Sequence, residues 1–124
     1  MSKLELNNRR LAGELLKQVR LGYLCVRDAV FRYPKDTEDD SVLSGYHALI
    51  HYEADEDLRA RDPLYKEEQD DYIEFLSQTL EKGDDLPENI INNYKNFYET
   101  APILHEHSLK GFFKGFWKNL NIKD

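Results

Sequence analysis

Two histidines and an aspartate stand at helical spacing near the middle of the chain. His47 and His51 are four residues apart, and Asp55 follows four residues later, so the three side chains would lie on one face of an α-helix. Neutral imidazoles and a carboxylate are suitable ligands for a divalent transition metal such as Zn²⁺. The spacing therefore predicts a candidate metal site, which would belong to a metal-binding protein or a metal-dependent enzyme.

The neighbouring residues do not strengthen this metal site. Ala48 follows His47 where the zinc-protease motif HExxH requires glutamate, and none of the four histidines has a glutamate three residues before it, as di-iron bundles require. His105 and His107 could add a ligand from the C-terminal part of the chain. The simpler interpretation places His47 at the border of the core and His51 partly in solvent.

Other common catalytic and nucleotide-binding motifs are lacking. The sequence has no GxSxG nucleophile elbow, no phosphate-binding glycine loop and no dinucleotide-binding fingerprint. The acidic run at residues 36–40 lacks the glycine and the terminal glutamate of a calcium-binding loop. No catalytic residue is therefore predicted, and a non-enzymatic role is favoured over an enzymatic one.

Charge is distributed unevenly along the 124 residues, whose formal net charge is −7. Residues 1–35 carry eight Lys/Arg and three Asp/Glu, a net charge of +5, whereas residues 36–88 carry four Lys/Arg and eighteen Asp/Glu, a net charge of −14. Residues 89–124 are again basic, with five Lys/Arg and three Asp/Glu. Either the basic ends fold back onto the acidic middle, or the middle binds a basic partner. The acidic excess argues against a large nucleic-acid interface.

One dense acidic cluster consists of Glu53, Asp55, Glu56 and Asp57. It falls near the expected end of the second helix, where the helix dipole disfavours negative charge by about 0.3–1 kcal/mol per group. One explanation is that the helix continues to Arg61. The other is that the four carboxylates bind a partner, so we treat them as candidate partner-binding residues.

Residues 103–122 form a basic, aromatic segment. Lys110, Lys114 and Lys118 are four residues apart. Apolar residues recur at helical spacing on another face, namely Leu109, Phe112, Phe113, Phe116, Trp117 and Leu120. The segment is either a final helix that packs its aromatic rings on the bundle, or a surface element that binds a partner, a second subunit or an anionic membrane surface. In the second interpretation the candidate contact residues are Phe112, Phe116 and Trp117.

The most apolar stretch covers residues 9–33 and predicts a long helix at the centre of the fold. Apolar residues recur around much of its circumference, which is typical of a helix surrounded by others. Pro34 ends this helix. Gly13 and Gly22 lie inside it, at a cost that is acceptable if a neighbouring helix approaches closely. Cys25 is expected to be a small buried side chain.

Three further long helices are expected from their boundary signals. The second covers residues 42–54, after a connection that offers several acidic or hydroxyl caps. The third covers residues 62–82, between an Asp-Pro start and Gly83. The fourth lies between Pro87 and Pro102.

These elements predict an all-α fold, with one domain over residues 1–124 built as a bundle of four long helices plus a C-terminal helical segment. The expected core residues are Leu15, Val19, Leu24, Val26, Tyr46, Ile50, Ile73, Leu76, Ile91 and Phe97. No apolar run is long enough to cross a bilayer or to resemble a secretory signal, and one cysteine cannot form an internal disulfide. A cytoplasmic location is therefore expected.

The sequence suggests a function only through its surface chemistry. We expect a non-enzymatic interaction module, such as an adaptor, regulator or inhibitor, that presents an acidic surface to a basic protein partner. Metal binding through His47, His51 and Asp55 is the first alternative, and peripheral membrane attachment through residues 103–122 is the second. No cofactor is expected apart from this metal, and the oligomeric state is left open, including a homo-oligomer.

Overall fold

The computed structural model describes the backbone of residues 1–100 and the side chains of residues 1–96. Every regular element in these residues is an α-helix, which confirms the predicted all-α class. The six described helices are α1 (Lys3–Arg20), α2 (Val26–Arg32), α3 (Asp40–Ala54), α4 (Glu56–Arg61), α5 (Pro63–Glu81) and α6 (Glu88–Thr100). Among the described residues, no helix has both the length and the apolar character needed to cross a membrane.

The helix predicted over residues 9–33 is divided into α1 and α2 by a turn. Gly22 adopts a left-handed backbone conformation with φ of +82°, which glycine accepts without steric cost. The Tyr23 N–H donates to the Gln18 carbonyl oxygen over 2.9 Å, which closes the end of α1 as in a Schellman motif. Because the chain turns here, Cys25 is exposed at the start of α2, and the expectation that it is buried is wrong.

The helix α3, and not the N-terminal helix, lies at the centre of the described fold. It contacts each of the other five described helices, and nine of its fifteen residues are buried. A glycine permits this close packing, because a Cβ atom on Gly45 would lie 2.5 Å from the Tyr33 hydroxyl and 3.2 Å from Leu80. The expectation that the first helix is the most central is therefore wrong. Its outer side includes Leu11, which is 43% exposed.

The helix α1 packs mainly against α5, and a glycine sets the distance between them. A Cβ atom on Gly13 would lie 2.7 Å from the Ser77 carbonyl oxygen and 2.8 Å from the Glu81 nitrogen. The Ser77 hydroxyl also donates to the Gly13 carbonyl oxygen over 2.7 Å. The close approach that was expected to compensate for Gly13 is therefore present.

The predicted core is confirmed in part. The predicted residues that are buried are Leu15, Val19, Val26, Ile73 and Leu76. Those that remain partly exposed are Leu24, Tyr46, Ile50 and Ile91. The side chain of Phe97 lies outside the described residues. The largest fully buried apolar side chains outside the predicted set are Leu16, Leu49 and Leu80. They were missed because helical spacing alone does not show which face of each helix meets the others.

Helix boundaries at three capping positions agree with the predictions. Asp39 accepts a hydrogen bond of 3.1 Å from the Ser41 N–H at the start of α3. Asp62 accepts one of 3.2 Å from the Tyr65 N–H at the start of α5. Gly83 follows α5 with φ of +81°, the conformation expected of a glycine cap. These boundaries follow from local chemistry, so the sequence located both ends of α5 and left several candidate caps for the start of α3.

The basic ends of the chain pair with its acidic middle. The buried Arg9 guanidinium contacts both Asp39 oxygens over 2.8 and 3.1 Å, Asp85 over 2.7 Å and the Gly83 carbonyl oxygen over 3.0 Å. The hydrogen bond to Asp39 raises the pKa of Arg9 despite the opposing effect of burial. Two further pairs between an end and the middle are Arg20–Glu74 and Lys95–Asp40. These contacts support the interpretation in which the ends fold back.

Candidate functional site

The two predicted histidines lie together inside the protein. His47 is 7% exposed and His51 is 1% exposed, and their Nε2 atoms are 3.0 Å apart. The rings meet edge to face with centroids 4.3 Å apart, and the ring of Tyr94 on α6 lies 5.5 Å from that of His47. The expectation that His51 is partly exposed is wrong, because α3 is surrounded by other helices.

Burial determines the charge state of this histidine pair. Removal from water lowers the pKa of His47 to about 4. It also lowers the pKa of His51 to about 3, with a further contribution from His47. At neutral pH both imidazoles are therefore uncharged, and in their mutual contact one Nε2 atom carries the hydrogen while the other accepts it.

Asp55 occupies the junction between α3 and α4 and is fully buried. Its Oδ2 atom accepts a hydrogen bond of 2.7 Å from the Tyr65 hydroxyl and one of 3.3 Å from the Gln69 amide. Burial and the bond to Asp55 raise the pKa of Tyr65. Because Tyr65 and Gln69 belong to α5, this carboxylate joins the end of α3 to that helix. The helical path does continue to Arg61, but with a break at Asp55.

The same polar network continues from Gln69 to the surface of α5. The Gln69 side-chain oxygen accepts a hydrogen bond of 2.9 Å from Arg59, and the Arg59 guanidinium lies 3.5 Å from the centre of the Tyr52 ring. The Tyr52 hydroxyl then donates to Asp70 over 3.0 Å. Tyr65, Gln69 and Arg59 were not among the predicted site residues; the available signal was a glutamine within the mostly apolar buried row of α5.

The described geometry does not assemble the predicted metal ligands into a set. Within residues 1–96 no group of three or more His, Cys, Asp or Glu side chains is placed to hold a metal ion. His47 and His51 contact each other, whereas the Oδ2 atom of Asp55 accepts a hydrogen bond from the Tyr65 hydroxyl. His105 and His107, the other candidate ligands, lie outside the described residues.

The acidic cluster is divided between the interior and the surface. Glu53, Glu56 and Asp57 are exposed, and none of them takes part in an ion pair among the described residues. We call these three residues the acidic junction surface. Asp55, which was predicted as a partner-binding residue with them, is 0% exposed and is not part of this surface.

Arg59 is the cation nearest to this surface in the sequence, and it faces the interior. Its guanidinium donates to the Gln69 side chain and to the Tyr52 carbonyl oxygen. Its positive charge is therefore directed at the buried network instead of the acidic junction surface.

The remaining predicted contact residues, Phe112, Phe116 and Trp117, belong to residues 103–122, which together with Pro102 lie outside the described part of the chain.

Comparison of the sequence with protein-family models and with curated proteins, and of the fold with solved structures, returned no match.

Proposed function

We propose that this protein is a non-enzymatic interaction module that binds a basic protein partner through the acidic junction surface. The observation that carries the proposal is the contrast between two sets of carboxylates. Asp39, Asp85 and Glu74 are paired with arginines of the chain itself, whereas the exposed carboxylates of the junction have no such partner among the described residues. Exposed charge of one sign accelerates association with an oppositely charged surface.

The placement of the other candidate residues supports a binding role over a catalytic one. A catalytic acid or base must reach its substrate, but His51 is 1% exposed and Asp55 is 0% exposed. The hydrogen bonds of Asp55 to Tyr65 and Gln69 give this carboxylate a structural role at the α3–α4 junction.

The proposal also includes the location of the protein and a second contact region. A cytoplasmic location fits the single cysteine of the chain. The aromatic residues Phe112, Phe116 and Trp117 remain candidates for a second contact region, which does not depend on the acidic junction surface.

The test begins with capture of partners from the native organism on the untagged protein, followed by association kinetics with the purified partner. The variant Glu53→Lys/Glu56→Lys/Asp57→Lys should associate more slowly than the wild type, and its association rate should depend less on salt. A matched control is Asp36→Lys/Glu38→Lys/Asp84→Lys, which reverses three carboxylates that are exposed elsewhere.

The control should retain most of the wild-type association rate. Equal rates for the wild type and the junction variant would overturn the proposal. Equal slowing by both variants would also overturn it, because the net charge and not this surface would then govern binding.

A further inference from the structure

The histidine pair of α3 has nearly the separation of two ligands on one metal ion. The Nε2 atoms of His47 and His51 are 3.0 Å apart. Two nitrogens bound to one tetrahedral zinc ion are about 3.3 Å apart, because each Zn–N bond is about 2.0–2.1 Å long. A small adjustment of the two side chains would therefore place both nitrogens around one zinc ion.

The orientation of the two rings also allows both nitrogens to face one ion. In a straight N–H···N hydrogen bond the rings lie end to end, and their centroids are much further apart than their nitrogens. Here the centroids are 4.3 Å apart and the ring planes meet at 70°, so the rings are inclined to each other. An ion beside the pair can accept both Nε2 lone pairs once the hydrogen between them has moved to Nδ1.

Burial keeps both rings in the form that binds metals. Removal from water lowers the pKa of His47 to about 4 and that of His51 to about 3, and metal ions bind the neutral imidazole. The two residues are 7% and 1% exposed, so little water reaches them. The other ligands of such an ion must therefore come from the protein.

Those other ligands do not lie in the described part of the chain. There, no third His, Cys, Asp or Glu side chain completes a metal-binding group with the pair. Asp55, the third ligand expected from the sequence, instead accepts a hydrogen bond of 2.7 Å from the Tyr65 hydroxyl. The chain has four histidines, and the remaining two, His105 and His107, are separated by one residue.

The chain after α6 is long enough to bring these histidines back to the pair. The Tyr94 ring lies 5.5 Å from the His47 ring, and α6 continues for six residues to Thr100, a rise of about 9 Å. Residues 101–105 span up to about 18 Å when extended. His105 can therefore return to the position of His47 within one molecule.

We propose that His47 and His51 bind a divalent transition metal ion such as Zn²⁺ together with His105 and His107 of the same chain. The ion ties the segment after α6 to the central helix of the fold. The inference does not rest on the proposed function, because no carboxylate of the acidic junction surface takes part. Either proposal can fail while the other stands.

Thermal unfolding of the untagged full-length protein tests this site. After treatment with a chelator and dialysis, addition of ZnCl₂ should raise the Tm by about 4 °C or more, since an ion that binds the folded state stabilises it. MgCl₂ should leave the Tm unchanged, because Mg²⁺ prefers oxygen ligands. Isothermal titration calorimetry should give one Zn²⁺ per chain.

Variants of both histidine pairs identify the ligands. His47→Gln and the double variant His105→Ala/His107→Ala should each abolish the zinc-dependent rise in Tm while the helical circular dichroism is retained. Co²⁺, which binds the same ligand types, should give the visible absorption of a nitrogen-ligated ion in the wild type only. Cys25→Ser is the matched control. It removes the exposed single thiol and should keep the full response to zinc.

The Glu53→Lys/Glu56→Lys/Asp57→Lys variant should also keep the response to zinc, which separates this test from that of the proposed function. A Tm that rises no more with ZnCl₂ than with MgCl₂ would overturn the inference. Retention of the rise in either histidine variant would overturn it as well. Loss of the rise in Cys25→Ser would do the same, because the thiol would then be a ligand.

Discussion

The Nε2 atoms of His47 and His51 lie 3.0 Å apart in the interior of the protein, where burial keeps both rings uncharged. Two imidazoles at this distance can share one hydrogen, but they cannot both be protonated without repulsion. The spacing that predicts a metal site therefore brings two imidazoles together in the described structure, and folding makes both of them harder to protonate.

Acidification is expected to destabilise the protein through this pair. The folded-state pKa values, about 4 for His47 and about 3 for His51, are lower than the ordinary value of 6.5, so the unfolded chain binds more protons between these limits. The contribution of the two neutral histidines to the unfolding free energy is complete above pH 6.5 and is lost as the pH falls toward the folded-state pKa values. Each unit of difference between the folded and unfolded pKa of a histidine corresponds to about 1.4 kcal/mol.

Chemical denaturation across this pH range measures the effect. A His51→Leu variant removes one titrating group and its repulsion with the neighbouring ring, so its unfolding free energy should depend less on pH than that of the wild type. An unchanged slope would show that the histidine pair does not govern the acid sensitivity.

Two aspartates that are two residues apart should differ strongly in their effect on stability. Asp55→Ala leaves the buried Tyr65 hydroxyl without its acceptor, which should lower the unfolding free energy by about 1–3 kcal/mol. Asp57→Ala changes an exposed residue and should alter it by less than about 0.5 kcal/mol. Urea denaturation of both variants tests this difference, and similar values for the two would contradict the assigned positions.

Removal of one partner from the buried ion pair of Arg9 is expected to destabilise the fold, because the remaining charge would be uncompensated in the interior. Arg9→Met leaves Asp39, whose side chain is 6% exposed, without its counter-charge, and such a loss typically costs about 3–5 kcal/mol. Arg20→Met removes a partner from a more exposed pair, with 27% and 43% exposure of the two side chains, and should cost less than about 1 kcal/mol. Thermal unfolding of both variants measures the contrast.

A double variant separates the charge effect from the loss of packing around Arg9. Asn at position 39 can still cap α3, so Arg9→Met/Asp39→Asn should unfold at a higher temperature than Arg9→Met alone. If the double variant is no more stable, the uncompensated charge is not the cause.

Replacement of Gly13 by alanine should destabilise the protein although alanine is the better helix former. Helix propensity alone would favour the change by up to about 1 kcal/mol. However, the new Cβ atom would lie 2.7 Å from the Ser77 carbonyl oxygen, and forcing α1 and α5 apart should cost about 1–3 kcal/mol. Chemical denaturation gives the sign, and a stabilised Gly13→Ala variant would show that the helices can separate without cost.

The predictions from sequence were most successful where a few neighbouring residues determine the structure. Asp62 with Pro63 begins α5 and Gly83 follows its end, because each depends on hydrogen bonds within one or two turns. Gly22 was also noted in the sequence, but the turn that it forms between α1 and α2 was not predicted. A long apolar stretch favours a continuous helix, whereas the structure places a left-handed turn there.

The candidate site was predicted less well, because burial depends on contacts between distant segments. Asp55 and its acidic neighbours Glu53, Glu56 and Asp57 have similar chemistry, and nothing within this stretch distinguishes them. The contact that distinguishes Asp55 comes from Tyr65 on α5, whose hydroxyl donates a hydrogen bond to Asp55 at the α3–α4 junction. The sequence likewise led to the expectation that His51 is partly exposed, whereas the packing of five other helices around α3 buries it.

The sequence by itself determined the helical class, several helix ends and the separation of charge between the middle and the ends of the chain, since periodicity, capping and composition are local properties. The tertiary structure decided which helix is central and which acidic residues are exposed. Both depend on the small residues Gly13 and Gly45, which set how closely helices approach, and on polar contacts such as those of Arg9 and Asp55 that join residues far apart in the chain.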